Sequence, residues 1–449
     1  MNIWKRVGLI ILSALLIILS IEPFALWGLS LIAWVPLFIA LQGTSFRVGF
    51  RLGVLHGLLT LAGTLPWLFD IFKTLAPALW LILALFTGLY GGLASLPRFK
   101  NSPALLALIW TGLEYYRSEH FFLSFPWITP GTAFEPNLLT SMIGVFGITF
   151  LIIFSSLHLS KKRLGWGVSI IIALLVSYFV SSKEVDSSDS LTVALVQNEG
   201  MNFDDYNTLS QPLKDDVDVI VWPEYSMSFD PTHEMNAYAI KDISTLLNSR
   251  AQLLIAGGQT WHDRENQIWS NTAFTFGKGG VIGTHYKNHT VHMFNDGEKG
   301  TTADAIETPI GKIGTPVCFD CDHQDVVRKM TANGAEVFLI PSMDAISWTE
   351  RQHLQHATLF RHRAAENGRW LAVASTSGVT QIIDSKGQPR AVLPMMDEGV
   401  LTGEVALRNH RTIFQRGGWL FGPVCLAGTL GLVLWLVFDA LAARKTKAA

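Results

Sequence analysis

Two apolar blocks frame this chain and limit what it can fold into. Residues 1–180 are poor in charge and rich in Leu, Ile, Phe and Trp, and residues 416–440 turn apolar again. Residues 181–415 between them have the mixed composition of an ordinary globular domain. Only 16% of the 449 residues are charged, where a soluble protein carries about 25%. Inside a bilayer the backbone must satisfy its own polar groups, so long apolar runs are expected as helices. A span takes roughly 20 mostly apolar residues. Such stretches lie near 6–22, 26–43, 50–69, 76–96, 101–118, 138–159, 164–181 and 418–440, which predicts about eight spans. Lys5 and Arg6 ahead of the first run resemble a signal peptide. No small-residue cleavage site follows and a second apolar run begins at once, so the first run is expected to remain a helix.

Basic residues in short loops orient such a bundle. With a cytoplasmic N-terminus, the cytoplasmic segments hold Lys5, Arg6, Arg47, Arg51, Arg98, Lys100, Lys161, Lys162, Arg163, Arg444, Lys445 and Lys447. The opposite side holds Lys73, Arg117 and Lys183. Twelve against three puts the middle domain outside the cytoplasm and both termini inside. The domains expected are a seven-helix bundle over 1–182, an extracytoplasmic domain over 183–415, and a final helix with a cytoplasmic tail over 416–449. A net charge of -2 gives no electrostatic footprint for nucleic acid.

The middle domain alternates strand-like and helix-like stretches. Short β-branched runs bounded by turn residues predict strands at 191–197, 217–224, 251–258, 272–276, 312–320, 335–342 and 370–376. Helices are expected at 211–217, 239–251 and 322–335, and a long amphipathic one ends at Asn367-Gly368. "DSKGQPR" (384–390) predicts a hairpin turn. This is one layered α/β domain.

Ligands of open α/β sheets bind beyond the carboxyl ends of strands, and three reactive residues fall there. Glu224 ends "VIVWPE", Lys287 follows "GGVIGTHYK" and Cys318 ends "KIGTPVC". A carboxylate, an ammonium and a thiol suffice for acyl transfer. The carboxylate takes the thiol proton, the thiolate attacks a carbonyl, and the ammonium with backbone N–H groups holds the oxyanion. A helix starting at Asp322 would lower the thiol pKa. Each residue also has an inert reading: a solvated loop acid, a surface lysine, a buried strand cysteine.

Cys318 and Cys321 form a C-x-x-C pair with alternatives of its own. Zinc needs two more ligands; His323 is close, while His353 and His356 fit the exposed face of an amphipathic helix. A redox dithiol would oxidise outside the cytoplasm and silence a nucleophile. The third reading makes Cys318 the nucleophile and Cys321 a neighbour one turn on. Cys425 reads as a small buried hydrophobe, and His56 as a neutral histidine bonded between helices. Glu114, Arg117 and Glu119 read as interfacial charges. Trp127 and Trp222 could line a lipid path or anchor the interface.

"VWPEYS", "YKNHTV" and "GTPVCFD", in this order, resemble the Glu-Lys-Cys signatures of the nitrilase superfamily. The resemblance implies an αββα sandwich and a triad of Glu224, Lys287 and Cys318. Phe319 and Asp320 match the two positions after the cysteine in its C-[YF]-[DE] pattern. The helix-bundle layout, "EPFALWGLSLIAWVPLFIAL" (22–41) and "FPWITPGTAFEPNLLTSMIGVFGITFL" (125–151) resemble the membrane-bound branch, the apolipoprotein N-acyltransferase family. That implies a phospholipid acyl donor, a Cys318 thioester, and transfer to the α-amino group of a lipoprotein's N-terminal diacylglyceryl-modified cysteine. The implied setting is a multi-pass protein of the inner membrane with a periplasmic catalytic domain, monomeric, with no metal or organic cofactor. Glu298 joins Phe319 and Asp320 as expected oxyanion or triad support, and His289 joins Trp127 and Trp222 as expected substrate contacts. The chain departs from the family after the lysine: "KNHTVHMFNDGE" replaces K-x-H-L-V-P-F-G-E, so the second acid is Asp296 or Glu298. The rival readings are a membrane-anchored amidase that uses water and a non-catalytic lipoprotein-binding relative.

Overall fold

A computed structural model describes residues 1–181, 190–200, 202–214 and 216–448. Lys183 and the boundary expected at 182–183 lie outside the described residues. The chain divides into a helical unit (Met1–Glu135, Ile143–Ser177 and Gly417–Ala449) and a second unit (Pro136–Met142 and Tyr178–Arg416).

The first helices are α1 (Ile3–Ser20), α2 (Val35–Leu41), α3 (Phe46–Thr64), α4 (Trp67–Phe72), α5 (Ala76–Ala94), α6 (Pro103–Tyr115), α7 (Thr140–Ser160) and α8 (Leu164–Ser181). Local chemistry sets their ends. The Asn2 side chain accepts from Lys5 N–H at 2.9 Å to cap α1, and Pro103 opens α6 behind Ser102. Among the described residues five segments are long and apolar enough to cross a membrane: Ile3–Ser20, Trp67–Ala94, Thr140–Ser160, Leu164–Ser181 and Gly418–Asp439. Eight were expected. The stretch near 26–43 is broken into a 3-10 turn, Trp27–Leu31, and the seven-residue α2. α3 carries Arg47, Arg51 and His56, and α6 has 13 residues.

Small residues bring α3 and α5 close. A Cβ on Gly53 would sit 2.3 Å from the Thr87 carbonyl oxygen, and one on Gly49 would sit 2.3 Å from that of Gly91. Such backbone-on-backbone contact is how apolar helices pack where hydrophobic burial gives no preference for protein over lipid. His56 Nε2 lies 3.0 Å from Ser13 Oγ, joining α3 to α1. Glu114 and Arg117 are not solvated interfacial charges. Both are buried, Arg117 donates to Glu114 at 2.7 Å, and Trp110 Nε1 donates to the other carboxylate oxygen at 2.6 Å.

In the second unit the strands are β1 (Ser190–Gln197), β2 (Val219–Val221), β3 (Leu253–Asp263), β4 (Ile268–Gly277), β5 (Gly280–Tyr286), β6 (Ile306–Thr308), β7 (Gly311–Gly314), β8 (Val337–Ser342), β9 (Trp370–Ser375), β10 (Thr380–Ile383), β11 (Pro389–Leu393) and β12 (Gly399–Ala406). Its helices are α9 (Phe203–Ser210), α10 (Ala237–Ser249), α11 (Asp325–Ala332), α12 (Glu350–Asn367) and α13 (Ile413–Arg416), and the chain ends with α14 (Phe421–Ala448). The helix expected at 211–217 lies one element earlier, as α9, where Asn202 supplies the cap. Two six-stranded sheets form, in the orders β12-β1-β2-β3-β4-β5 and β11-β10-β9-β8-β7-β6. β1 is parallel to β2 and antiparallel to β12, starting at the pair Ser190 and Ala406.

Alternation along β1 explains the layers. Leu191, Val193 and Leu195 enter the core shared with Val337, Leu339 and Ala372 of the other sheet. Ala194 and Val196 face the opposite way, into the core with α9 and α10. A third core holds α11 and α12 on the second sheet. The result is an αββα sandwich in which the central strands β2, β8 and β9 are buried on both faces, which is why they read as continuous apolar runs.

α12 is the element that departs most from expectation. It is not a solvated amphipathic helix: Gln352, His353, His356, His362, Arg363 and Glu366 are all buried. They pair with one another and with neighbouring elements, as when Arg363 meets Glu366 at 3.2 Å.

Candidate active site

Glu224 and Lys287 come from one sheet and Cys318 from the other. Glu224 lies three residues beyond β2, Lys287 directly follows β5, and Cys318 follows β7 by four residues. Cys318 is therefore not the end of a strand. It opens a 3-10 turn, Cys318–Cys321, with φ +46°. Tyr225, next to Glu224, has φ +58°. Non-glycine residues in this region are strained and cluster at functional sites. A close approach fixes the Glu224 turn, since a Cβ on Gly257 of β3 would lie 2.5 Å from Glu224 Cα. The Glu224 N–H reaches the Ser342 carbonyl at the end of β8, so a backbone hydrogen bond ties the two sheets together here.

Lys287 is 1% exposed and sits between two acids. Its Nζ lies 2.7 Å from Glu224 Oε1 and 2.8 Å from Asp296 Oδ2. Asn271 of β4 donates to both, at 2.6 Å to Glu224 Oε1 and 2.7 Å to Asp296 Oδ1. The Tyr225 hydroxyl donates to Asp296 at 2.5 Å, and Val291 N–H at 2.8 Å. This settles the choice between Asp296 and Glu298. Asp296 meets the lysine, while Glu298 is exposed and only its backbone is engaged, with Trp269 and Ser270. Where Glu298 was expected as support, the acid that contacts Lys287 is Asp296. Asp296→Asn is expected to lower turnover about 10²-fold or more, with Glu298→Ala close to the parent; comparable losses in the two variants would contradict this placement.

The two acids are pushed apart electrostatically. Burial opposes the Asp296 charge, but Lys287 and two donors hold its carboxyl below the ordinary range. Burial, reinforced by the Asp296 charge, holds Glu224 above it despite Lys287. Burial alone would discharge Lys287, yet the two carboxylates keep its pKa well above normal. Asp296 is therefore the standing counter-ion and Glu224 the acid poised to take a proton. Burial and the Glu224 charge push the Cys318 thiol well above its usual value. The lowered thiol pKa expected from a helix at Asp322 is not found: α11 begins at Asp325. The Cys318 thiol therefore rests neutral, its Sγ 3.6 Å from the Met343 carbonyl oxygen, and a thiol in that state would need a base in order to act as a nucleophile.

Asp320 fastens the lysine segment to the cysteine turn. It is fully buried. It accepts from Asn288 N–H at 2.9 Å and His289 N–H at 2.8 Å, and from Val317 N–H at 3.1 Å. His285 Nε2 lies 2.9 Å from Oδ2, the oxygen that also accepts from Val317. The Phe319 ring packs edge-on against His323 and His292. His289 lies 2.7 Å from Asp325 and stacks on His323. Trp222 is corrected from substrate contact to core: it is fully buried, donates to Ser210 at 3.0 Å and packs against Phe203 and Tyr206. Trp127 is buried in the helical unit against Trp67 and Phe125, its carbonyl accepting from Arg117 at 3.1 Å. It belongs to an aromatic cluster rather than an open wall.

The cysteines are unequal. All three are unpaired thiols. Cys318 packs with Ala273 and Val317, whereas Cys321 is part of the α11–α12 core. Asn271, Tyr225 and the Met343 carbonyl were missed from sequence. Asn271, just ahead of the strand expected at 272–276, was the one signal available, because an amide buried in a strand needs a partner.

Residues 13–158 match the family described as Apolipoprotein N-acyltransferase N-terminal domain, and residues 191–413 match Carbon-nitrogen hydrolase. The chain is 27% identical over 486 residues to the Apolipoprotein N-acyltransferase of Geobacter metallireducens, covering 93% of this chain and 92% of that one. It is 26% identical to that of Pseudomonas paraeruginosa, with the same coverage of 93% and 92%. A solved carbon-nitrogen hydrolase from Helicobacter pylori overlays with a TM-score of 0.42 at 22% identity, covering 52% of this chain and 94% of that one.

Proposed function

The chain belongs to the apolipoprotein N-acyltransferase family, the membrane-bound branch of the carbon-nitrogen hydrolases, and from that premise we propose how its residues carry out the transfer. It is a membrane acyltransferase that works through a thioester. The donor is a phospholipid and the acceptor is the α-amino group of a diacylglyceryl-modified lipoprotein cysteine. The catalytic domain, residues 183–415, acts on the periplasmic side of the inner membrane, in line with the loop charges.

One observation supports this reading most: a buried lysine between two acids whose proton affinities diverge, with a neutral thiol beside them. In the first half, Glu224 takes the Cys318 proton as Sγ attacks the ester carbonyl. Lys287 neutralises the tetrahedral oxyanion, aided by the backbone N–H groups after Cys318. Collapse expels the lysophospholipid alkoxide, which takes the proton from Glu224. In the second half, the lipoprotein amine attacks the thioester, Glu224 accepts its proton, and the Cys318 thiolate leaves and is reprotonated. Asp296 stays ionised throughout and keeps Lys287 charged. Exposed apolar side chains flank these loops, Met293 and Phe294 between Lys287 and Asp296, and Ile346 just beyond Asp344. They suit a lipid substrate better than a small soluble amide.

Mass spectrometry of lipoprotein N-termini from cells with and without this protein tests the reading. The expected result is loss of the N-linked acyl mass in the deletion strain. Unchanged N-termini, together with fatty acid released to water by the purified protein, would assign it to hydrolysis instead.

A further inference from the structure

Behind the cysteine turn lies a buried charge cluster that the mechanism above does not use. His356 of α12 is 2% exposed. Its Nδ1 is 2.8 Å from Asp344 Oδ1, and its Nε2 is 3.2 Å from Asp322 Oδ1. Asp322 immediately follows the Cys318–Cys321 turn. Asp344 immediately follows Met343, whose carbonyl lies 3.6 Å from the Cys318 sulfur. One ring therefore touches both segments that meet at the nucleophile. Asp344 is fixed further: Gln352 donates to it at 2.8 Å and Ser375 at 3.3 Å, and its backbone N–H and carbonyl both bond the Thr376 hydroxyl.

We infer that His356 is a positioning residue: it clamps the Met343–Asp344 segment to the turn that carries Cys318 and so fixes where the thiol points. The clamp serves acyl transfer and to that extent rests on the function proposed above. Both ring nitrogens face carboxylates, and two such contacts require both N–H groups, hence an imidazolium. Burial opposes the charge, but Asp344 and Asp322 overcome it and raise the His356 pKa to about 10. His353, one turn earlier on α12, faces Asp344 as well. Around the thiol the charged groups are Glu224, Lys287 and Asp344. With His356 protonated, the Asp344 charge beside the thiol is largely compensated. Without it, that charge disfavours the thiolate.

The test uses the full chain in detergent. The pH dependence of Cys318 alkylation by iodoacetamide is read by mass spectrometry of its peptide. Thioester formation is read from a labelled phospholipid. His356→Gln is expected to raise the alkylation midpoint by about one pH unit and to slow thioester formation about tenfold. Adding Asp344→Asn to His356→Gln removes both charges and is expected to return the midpoint toward the parent. Asp322→Asn, for use if His356→Gln fails to fold, keeps the imidazolium but opens the clamp. Its thioester formation is expected to slow even though its thiol ionises no less easily. A His356→Gln protein with the parent's midpoint and thioester rate overturns the inference. So does one whose melting temperature falls while both stay unchanged, because that is packing alone. So does Asp322→Asn with an undiminished thioester rate. Alkylation needs no substrate, so it reports on the clamp even if Cys318→Ala retained transfer, which would instead refute the proposed function.

Discussion

Cys318→Ala is expected to leave neither a trappable thioester nor transfer, a loss of at least about 10³-fold, while Cys321→Ala keeps measurable turnover. The two thiols are three residues apart in sequence but sit in different surroundings. Cys318 lies on a strained turn beside Glu224 and Lys287. Cys321 is fully buried among Val326, Phe338 and Phe360. Removing its sulfur leaves a small cavity, which is expected to cost about 1 kcal/mol and to lower the melting temperature by a few degrees. Labelled phospholipid, denaturing electrophoresis and a thermal melt on both variants check this. Loss of the thioester in a folded Cys321→Ala protein would move the nucleophile to the wrong cysteine.

The second large effect concerns Lys287, whose replacement tests fold and chemistry together. In Lys287→Met the apolar stem is largely retained, but Glu224 and Asp296 face each other with no cation between them. Breaking a buried ion pair from one side typically costs about 3–5 kcal/mol, and turnover should vanish with the oxyanion partner. The pH dependence has a definite sign. Without Lys287 both carboxyls have folded pKa values raised above their unfolded values near 4. Groups raised in this way favour the folded state below the unfolded pKa and lose that contribution as pH rises. The gap in stability between variant and parent should therefore be smallest near pH 4–5 and widen toward pH 8. A gap that stays constant over that range would mean the acids are not coupled through the lysine.

The sequence made the large divisions legible because each rests on a repeating physical pattern. Apolar runs marked the membrane segments, and short β-branched runs marked the strands. Glu224, Lys287 and Cys318 could be singled out because each reactive type falls at or just beyond a strand end. Details set by tertiary context were not legible. Arg47 and Arg51 dilute α3, and a 3-10 turn interrupts the stretch near 26–43, so among the described residues these two stretches do not form single helices long and apolar enough to be counted as spans. α12 misled in the opposite direction. Its histidines and arginines suggest a wet face, yet His353, His356 and Arg361 bond segments outside the helix, and no local pattern encodes those partners. Trp222, two residues before Glu224, looked like part of the site, but β2 ends at Val221, so no strand alternation relates the two side chains, and Trp222 turns into the core with Phe203 and Tyr206. Asp296 and Glu298 share spacing and charge, and only the loop's path through three dimensions brings one of them to the lysine.

The pairing of β1 with β12 has a mechanical consequence. The domain's first and last strands lie side by side, antiparallel, with Ser190 opposite Ala406. Both are joined at that same end to the segments leading to α8 and α14. Tension that drew those segments apart would load the ladder one rung at a time, as a zipper, rather than in shear across all its bonds at once. Amide exchange under strain should begin at Ser190 and Ala406 and travel inward along this ladder.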